Sequence, residues 1–341
     1  MNVNLIGEKM DVNKLKILGA GLSCIDIIKQ RNQKDQFFMG GTAANVISAL
    51  ALMGINCSFI QPNYLGKDGR WLKNAMGKRN IAVINCCDTS CDAPRIAEEL
   101  ENGRHCFKTI CPVCGKNMLS LKLPQTNHVK KIASSFDEIN LFYFDRISSG
   151  IKWIEENNKK GWNCYEPNSF RNYKVLVTNA KEADILKVSN ERCSDENIEK
   201  LKNDLSDGKT KLLIISLGGE GVKYSYKNAN GQMSDWIYIK SQDGRLVFDS
   251  AGAGDWMTAA FLYEFIKTYP YRTARIDKKV LDICMHKAEK IASFTCSYLG
   301  AQGVMENKEA LDYIGRLLGC EMESTYIKYE VDIKRCIYCY K

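Results

Sequence analysis

Apolar and polar positions alternate in blocks along this chain. Lys14-Leu15-Lys16-Ile17-Leu18-Gly19 reads as a first strand ending in glycine, and the chain stays apolar and extended from Gly21 to Asp26. A polar stretch over residues 29–36 reads as a loop or exposed hairpin. Phe37-Phe38-Met39-Gly40-Gly41 then leads into a small-residue helix over 42–53, with Thr42 a candidate N-cap and Gly54 the stop. A strand over 56–60 and a helix over 69–78 follow. Further on, strand 141–144 precedes helix 149–159, strand 175–177 precedes helix 180–186, and helix 196–205 precedes strand 211–216. A hairpin-like segment spans 222–240, and helices close the chain, including one over 279–298.

Residues 85–128 break this rhythm. They hold six cysteines and the prolines at 94, 112 and 124, with little helical period, and read as an insertion or lid of short strands. Elsewhere the alternation of strand and helix predicts an α/β fold, a mostly parallel central sheet covered by helices on both faces. Ligands in such sheets bind beyond the C-terminal strand ends. The pattern places Asn45, Asn179, Ser216 and Asp255 near those ends.

Composition narrows the class. The chain has 341 residues, 45% apolar and 26% charged, and carries a net charge of +8 with lysine and arginine spread rather than clustered. That argues against a nucleic-acid stripe. No apolar run reaches the roughly 18 residues a membrane helix needs, and the first residues hold no long apolar segment. A cytoplasmic protein is expected, with the 15 cysteines mostly reduced.

The densest chemistry lies in Asp249-Ser250-Ala251-Gly252-Ala253-Gly254-Asp255. The flanking Arg245-Leu246-Val247-Phe248 reads as a buried strand end, and Trp256 to Leu262 as a helix. The first N–H groups of such a helix lack internal partners and face outward at the positive dipole end, which suits a phosphate. Glycine lets backbone approach the anion closely. Asp255 on the first turn is a carboxylate beside an anion, a placement that suits a proton acceptor in phosphoryl transfer. Other motifs fail. Gly208-Lys209-Thr210 lacks the upstream P-loop glycine, since Asn203 stands there, and Gly19-Ala20-Gly21 has Cys24 where a dinucleotide fingerprint needs glycine. No hydrolase motif is present.

Four segments in fixed order complete the picture: Gly40-Gly41 with Asn45; Asn179-Ala180-Lys181-Glu182; Ser216-Leu217-Gly218-Gly219-Glu220-Gly221; and the 249–255 turn. Together they resemble the ribokinase-like (PfkB-type) family of sugar and nucleoside kinases, over roughly residues 15–305. Leu65-Gly66-Lys67-Asp68-Gly69-Arg70, Glu166-Pro167-Asn168 (with Glu for the usual Asp) and Gly300-Ala301 are similar to further family elements. The resemblance implies a ribokinase-like domain over 1–320 with a small β lid built from about 27–38 and 85–128, and a C-terminal tail over 321–341. It implies an ATP- and Mg²⁺-dependent kinase acting on a hydroxyl of a sugar or sugar-like small molecule. The alternatives are a nucleoside kinase of the same fold, or a non-catalytic sensor on a kinase scaffold.

On this resemblance Asp255 is the general base. Ala251, Gly252, Ala253 and Gly254 hold the transferring phosphoryl group. Asn179 and Glu182 organise Mg²⁺ through water. Ser216, Gly218 and Gly221 border the nucleotide. Asp26, Gly40, Gly41, Asn45 and Asn168 bind the acceptor. A monovalent cation near Asp249 and a homodimer paired through the lids are further expectations. Trp256 departs from the small residue usual after the catalytic Asp, and packing into the core is expected for it.

The cysteines raise a separate expectation. Cys111-Pro112-Val113-Cys114-Gly115 has the form of a zinc knuckle, in which two thiolates grip one ion and glycine permits the turn. His105, Cys106 and His128 are local candidates for the other ligands. A second pair, Cys336 and Cys339, completes a four-cysteine structural Zn²⁺ site if the tail folds back. Reduced thiols and a redox dithiol at Cys111 and Cys114 are the competing readings. Cys86, Cys87 and Cys91 read as small apolar packing.

Overall fold

The computed structural model describes residues 10–29, 34–101, 104–136, 138–241, 247–331, 336 and 338–339. In chain order, β1 (Lys16–Ala20), β2 (Cys24–Ile28) and β3 (Gln36–Gly40) precede α1 (Thr42–Leu52), β4 (Asn56–Tyr64), α2 (Lys67–Lys78) and β5 (Ile81–Thr89). Then come β6 (Arg95–Glu101), β7 (Arg104–Lys108), α3 (Thr126–Lys131), β8 (Leu141–Phe144), α4 (Ser149–Asn157) and β9 (Trp162–Tyr165). The second half holds α5 (Tyr173–Ala180), β10 (Ile185–Ser189), α6 (Asp195–Asp204), β11 (Leu212–Ser216), β12 (Gly221–Tyr226) and β13 (Ile237–Lys240). Four helices finish the order: α7 (Ala253–Thr268), α8 (Lys278–Thr295), α9 (Gly300–Met305) and α10 (Lys308–Leu318).

Nine strands form the central sheet, in the order β13-β12-β11-β10-β9-β8-β1-β4-β5. From β11 to β5 every pairing is parallel, and β12 and β13 add an antiparallel edge. Alternate residues feed two cores. Ile17, Leu141, Tyr143, Leu212 and Ile214 pack on the side of α1, α7 and α8. Leu18, Phe142, Phe144, Leu213 and Ile215 pack on the side of α3 to α6. Period-2 side chains buried on both faces produce the continuous apolar runs seen in these strands. This is the α/β fold expected, and no helix among the described residues is long and apolar enough to cross a membrane.

A second sheet of four strands, β3-β2-β6-β7, forms the lid. The expected boundaries shift. Residues 85–89 belong to β5 at the edge of the central sheet, and residues 126–128 begin α3, so the lid part of 85–128 is narrower than its composition suggests. The tail crosses the lid rather than standing apart from it. Tyr329 stacks on Phe37 with centroids 4.9 Å apart, and its hydroxyl donates to Asp68 Oδ1 at 2.6 Å.

Three sequence expectations fail locally. Residues 175–177 are helical, not a strand. Asn172 caps α5 by accepting from the Val175 N–H at 3.0 Å, and Leu176 and Ala180, one turn apart, are its buried positions. Residues 180–186 accordingly leave α5 and enter β10 instead of forming a helix. The run before Asp249 is not a buried strand end. Arg245 and Leu246 lie outside the described residues, while Val247 and Phe248 are exposed and outside any strand, the Phe248 N–H bonding to the Cys296 carbonyl at 2.8 Å. Finally, Gly41, at φ 93°, occupies the N-cap of α1 in place of Thr42.

Candidate active site

The 249–255 turn forms because its first aspartate ties it down. Asp249 is buried; its Oδ1 accepts from the Ala251 N–H and its Oδ2 from the Gly300 N–H, both at 2.8 Å. The turn is thereby fixed to the start of α9. Gly252 then caps α7 at φ 78°, ψ −7°, a left-handed conformation that favours glycine. A Cβ there would meet the Ala301 backbone nitrogen at 2.5 Å. Trp256 is wholly buried, as expected, and its indole N–H donates to the Ala301 carbonyl at 2.9 Å, locking α7 against α9 from the other side. The result is a 16-residue helix whose open N–H groups start at a glycine turn. Gly254 is exposed there, and the one atom near the place of its missing Cβ is Lys187 Nζ at 3.6 Å.

Asp255 sits on the first turn of this helix, partly buried. Asn45, on α1, donates to its Oδ2 at 2.7 Å, and Gln302, on α9, donates to Asn45 Oδ1 at 2.7 Å. Burial, with the nearby Glu166 carboxylate, pushes the Asp255 pKa up to about 8 against the opposing Asn45 hydrogen bond and Lys187 charge.

Beneath the turn lies a buried ionic network. Glu166 accepts from the Tyr143 hydroxyl at 2.9 Å, from the Thr258 hydroxyl at 2.8 Å and from Lys187. Lys187, only 4% exposed, also donates to the Gly254 carbonyl at 3.3 Å. A buried ammonium is tolerable here because it is paired and hydrogen-bonded. Its charge stands against Gly254 of the 249–255 turn.

The residues expected to bind an acceptor lie around β2, β3 and the start of α1. Asp26, on β2, lies so close to Gly40 that a Cβ on Gly40 would meet its carboxyl group. The Gly41 backbone N–H hydrogen-bonds the same carboxylate, but burial and the Glu98 charge dominate and push Asp26 up to about 7. Asn168 donates to Thr42 Oγ1 at the start of α1. Asp145, fully buried after β8, accepts from the Leu22 N–H at 2.9 Å and pairs with Arg146 at 3.2 Å. Ser216 ends β11 and its carbonyl accepts from the Asn190 N–H at 3.0 Å. Gly218 and Gly221, at φ 59° and 108°, carry the tight turn that follows.

Two expected residues are elsewhere. Asn179 is on α5 and Glu182 precedes β10, at the N-terminal end of that strand. Asp255, Ser216 and Gly254 are at the C-terminal end. Glu182 instead pairs with Lys209 at 2.6 Å before β11, with its side chain 46% exposed. The expectation rested on reading 175–177 as a strand. The turn at the C-terminal end of β10 is Ser189-Asn190-Glu191-Arg192-Cys193, tied to the end of β11 by the Asn190 N–H. Sequence reading also missed Gln302, Lys187 and Asp145. Lys187 left one trace, a lysine between Leu186 and Val188 in an apolar run; Gln302 and Asp145 left none.

Comparisons with known proteins agree with this fold. Residues 168–308 match the family described as pfkB family carbohydrate kinase. No curated protein matches the sequence. The fold is similar to fructokinase from Xylella fastidiosa with bound ATP (18% identity, TM-score 0.66, covering 84% of this chain and 93% of that one). It is also similar to aminoimidazole riboside kinase from Salmonella enterica complexed with aminoimidazole riboside and an ATP analogue (17%, TM-score 0.62, covering 89% and 99%). Ribokinase from Giardia lamblia gives 14% identity and a TM-score of 0.67, covering 84% and 96%. The chain thus has the fold of these kinases, and its residues 168–308 match the pfkB family carbohydrate kinase model.

Proposed function

We propose that this protein is an ATP-dependent kinase that transfers the γ-phosphoryl group to a hydroxyl of a sugar or sugar-like small molecule. One observation carries the reading: Asp255 stands on the first turn of α7, beside the glycine-capped N–H groups, with one carboxylate oxygen held by Asn45. A hydroxyl that reaches Asp255 gives up its proton to the carboxylate as its oxygen attacks phosphorus. The Gly252 and Gly254 N–H groups face the phosphoryl oxygens where negative charge gathers, since the Ala251 N–H is held by Asp249 Oδ1 and the Ala253 N–H by the Ser250 carbonyl. Lys187 adds positive potential beneath them.

Phosphoryl transfer asks mainly for positioning and charge stabilisation, and the rigid turn supplies both. Mg²⁺ would neutralise the phosphates. The 189–193 turn, joined to Ser216 by the Asn190 N–H, is assigned to it and its waters in place of Asn179 and Glu182. Gly218 and Gly221 border the nucleotide. Asp26, Gly40, Gly41, Asn45 and Asn168 hold the acceptor, with Asp145 added to them. A monovalent cation is assigned to the turn near Asp249. The fructokinase and riboside kinase neighbours make hexoses and ribosides the first acceptors to try.

ADP release from ATP·Mg²⁺ across sugars, sugar phosphates and nucleosides tests the proposal. Acceptor-dependent release supports it. ATP binding with no release across the whole panel contradicts it and favours a ligand-binding sensor.

A further inference from the structure

Outside the kinase site, two Cys-x-x-Cys pairs 225 residues apart in sequence meet in space. Cys111 Sγ lies 3.6 Å from Cys336 Sγ, and Cys114 Sγ lies 3.3 Å from Cys339 Sγ. The sulfurs of Cys111, Cys336 and Cys339 all fall within 4.8 Å of one another. The pairing is first with first and second with second, and Cys114 joins the three through Cys339.

Both halves are built for this. The first is a tight loop: Ile110 bridges Asn117, the Cys111 N–H donates to the Lys116 carbonyl at 2.7 Å, and the Gly115 N–H donates back to the Cys111 carbonyl at 2.9 Å. Gly115, at φ 70°, makes the turn, and the Lys116 backbone N–H hydrogen-bonds the Cys114 sulfur. Met118 N–H and carbonyl then join the loop to Thr109 and to Arg95 of the lid sheet. The second half is anchored by Tyr338, which is buried between its two cysteines. Its hydroxyl donates to Asp35 at 3.3 Å, and Lys29 Nζ sits 4.6 Å from its ring centroid. His128 lies with Cys86 and Cys87 instead.

We propose that Cys111, Cys114, Cys336 and Cys339 bind one structural Zn²⁺ that clasps the C-terminal tail to the lid. A Zn–S distance of about 2.3 Å places tetrahedral ligand sulfurs about 3.8 Å apart, close to the 3.6 Å and 3.3 Å of the two cross-paired contacts. A disulfide needs about 2.05 Å. Binding displaces the thiol protons: Zn²⁺ and four Cys–SH give a four-thiolate complex of net charge −2 and four H⁺. The exposed Lys116 and the nearby Lys29 moderate that charge. The ion fixes the tail where Tyr329 packs on Phe37, Trp71 and Arg95, so it stiffens the lid edge beside the acceptor residues.

The test uses the full chain, purified reduced and without chelator. Elemental analysis should give about one zinc per chain, lost in Cys114→Ser and in Cys339→Ser. Cys114 is exposed, so its serine variant leaves the core intact. A second measurement needs no variant. The wild-type chain stripped of metal and given Co²⁺ should show thiolate-to-cobalt charge transfer and the visible bands of a tetrahedral ion. Stripping alone should also speed proteolytic loss of the tail. Reduced protein that takes up neither Zn²⁺ nor Co²⁺, or peptide mapping that finds Cys111–Cys336 and Cys114–Cys339 disulfides, would overturn the proposal.

Discussion

Asn45 donates its side-chain N–H to Asp255 Oδ2 at 2.7 Å, joining residues 210 positions apart. Gln302 holds the other end of that amide at 2.7 Å. One oxygen of the carboxylate is thereby fixed, and Oδ1 has no hydrogen bond among the described residues. Asn45→Ala removes this orientation and strands the Gln302 amide. Losing such a bond to a charged group costs about 1–3 kcal/mol, so steady-state kinetics should show kcat about 10–100-fold lower. Gln302→Leu should fall the same way by less, because it acts through Asn45.

The elevated pKa of Asp255 sets the pH response. A general base works only when deprotonated, so kcat/KM should rise with pH and level off above about 8. Asn45→Ala removes a bond that favours the ionised form and should move the inflection to higher pH. A profile flat from about two units below that value to about two units above it would show that Asp255 does not titrate in the rate-limiting step.

The same group affects stability. Folding raises the Asp255 pKa from 3.8 to about 8, so the folded chain binds this proton more tightly than the unfolded one. Its stabilising contribution is complete below 3.8 and is lost progressively as pH rises through about 8. Asn cannot ionise. The Tm of Asp255→Asn relative to the parent should therefore increase between mildly acidic and alkaline buffer, as read by thermal melts.

Lys187→Met leaves the Glu166 carboxylate buried without its cation. Breaking a buried pair from one side costs about 3–5 kcal/mol, visible as a lower denaturation midpoint. Lys187→Met with Glu166→Gln should recover much of that stability, since no unpaired charge remains.

Glu182→Gln tests the relocated metal site. Glu182 is an exposed partner of Lys209 at the far end of β10, and surface changes of about 0.5 kcal/mol leave kcat within roughly two-fold. Asn190→Ala should instead raise the Mg²⁺ concentration needed for half-maximal rate. The reverse pattern would restore the Asn179 and Glu182 assignment.

The sheet, the lid and the Asp255 turn were legible in the sequence because each is a local signal. Apolar runs mark strands buried on both faces, and Asp-x-x-Gly-x-Gly-Asp marks a glycine turn opening a helix. The failures also have local causes. Val175 and Val177 carry strand propensity, yet the Asn172 cap and the Leu176–Ala180 spacing decide for helix. That one error shifted the frame and carried Asn179 and Glu182 to the wrong end of the sheet. Lys187 interrupts an apolar run because its partner, Glu166, is 21 residues away. Gln302 reaches Asn45 across 257 residues, a relation that only the tertiary structure reveals.

The most direct test of the central claim compares Asp255→Asn with the parent protein. ADP release would be measured with ATP·Mg²⁺ and the best acceptor, and nucleotide affinity by calorimetry. The assignment predicts turnover lower by about 10²–10⁴-fold, the usual worth of a general base, with nucleotide affinity unchanged. Turnover close to that of the parent in a folded Asp255→Asn would contradict it.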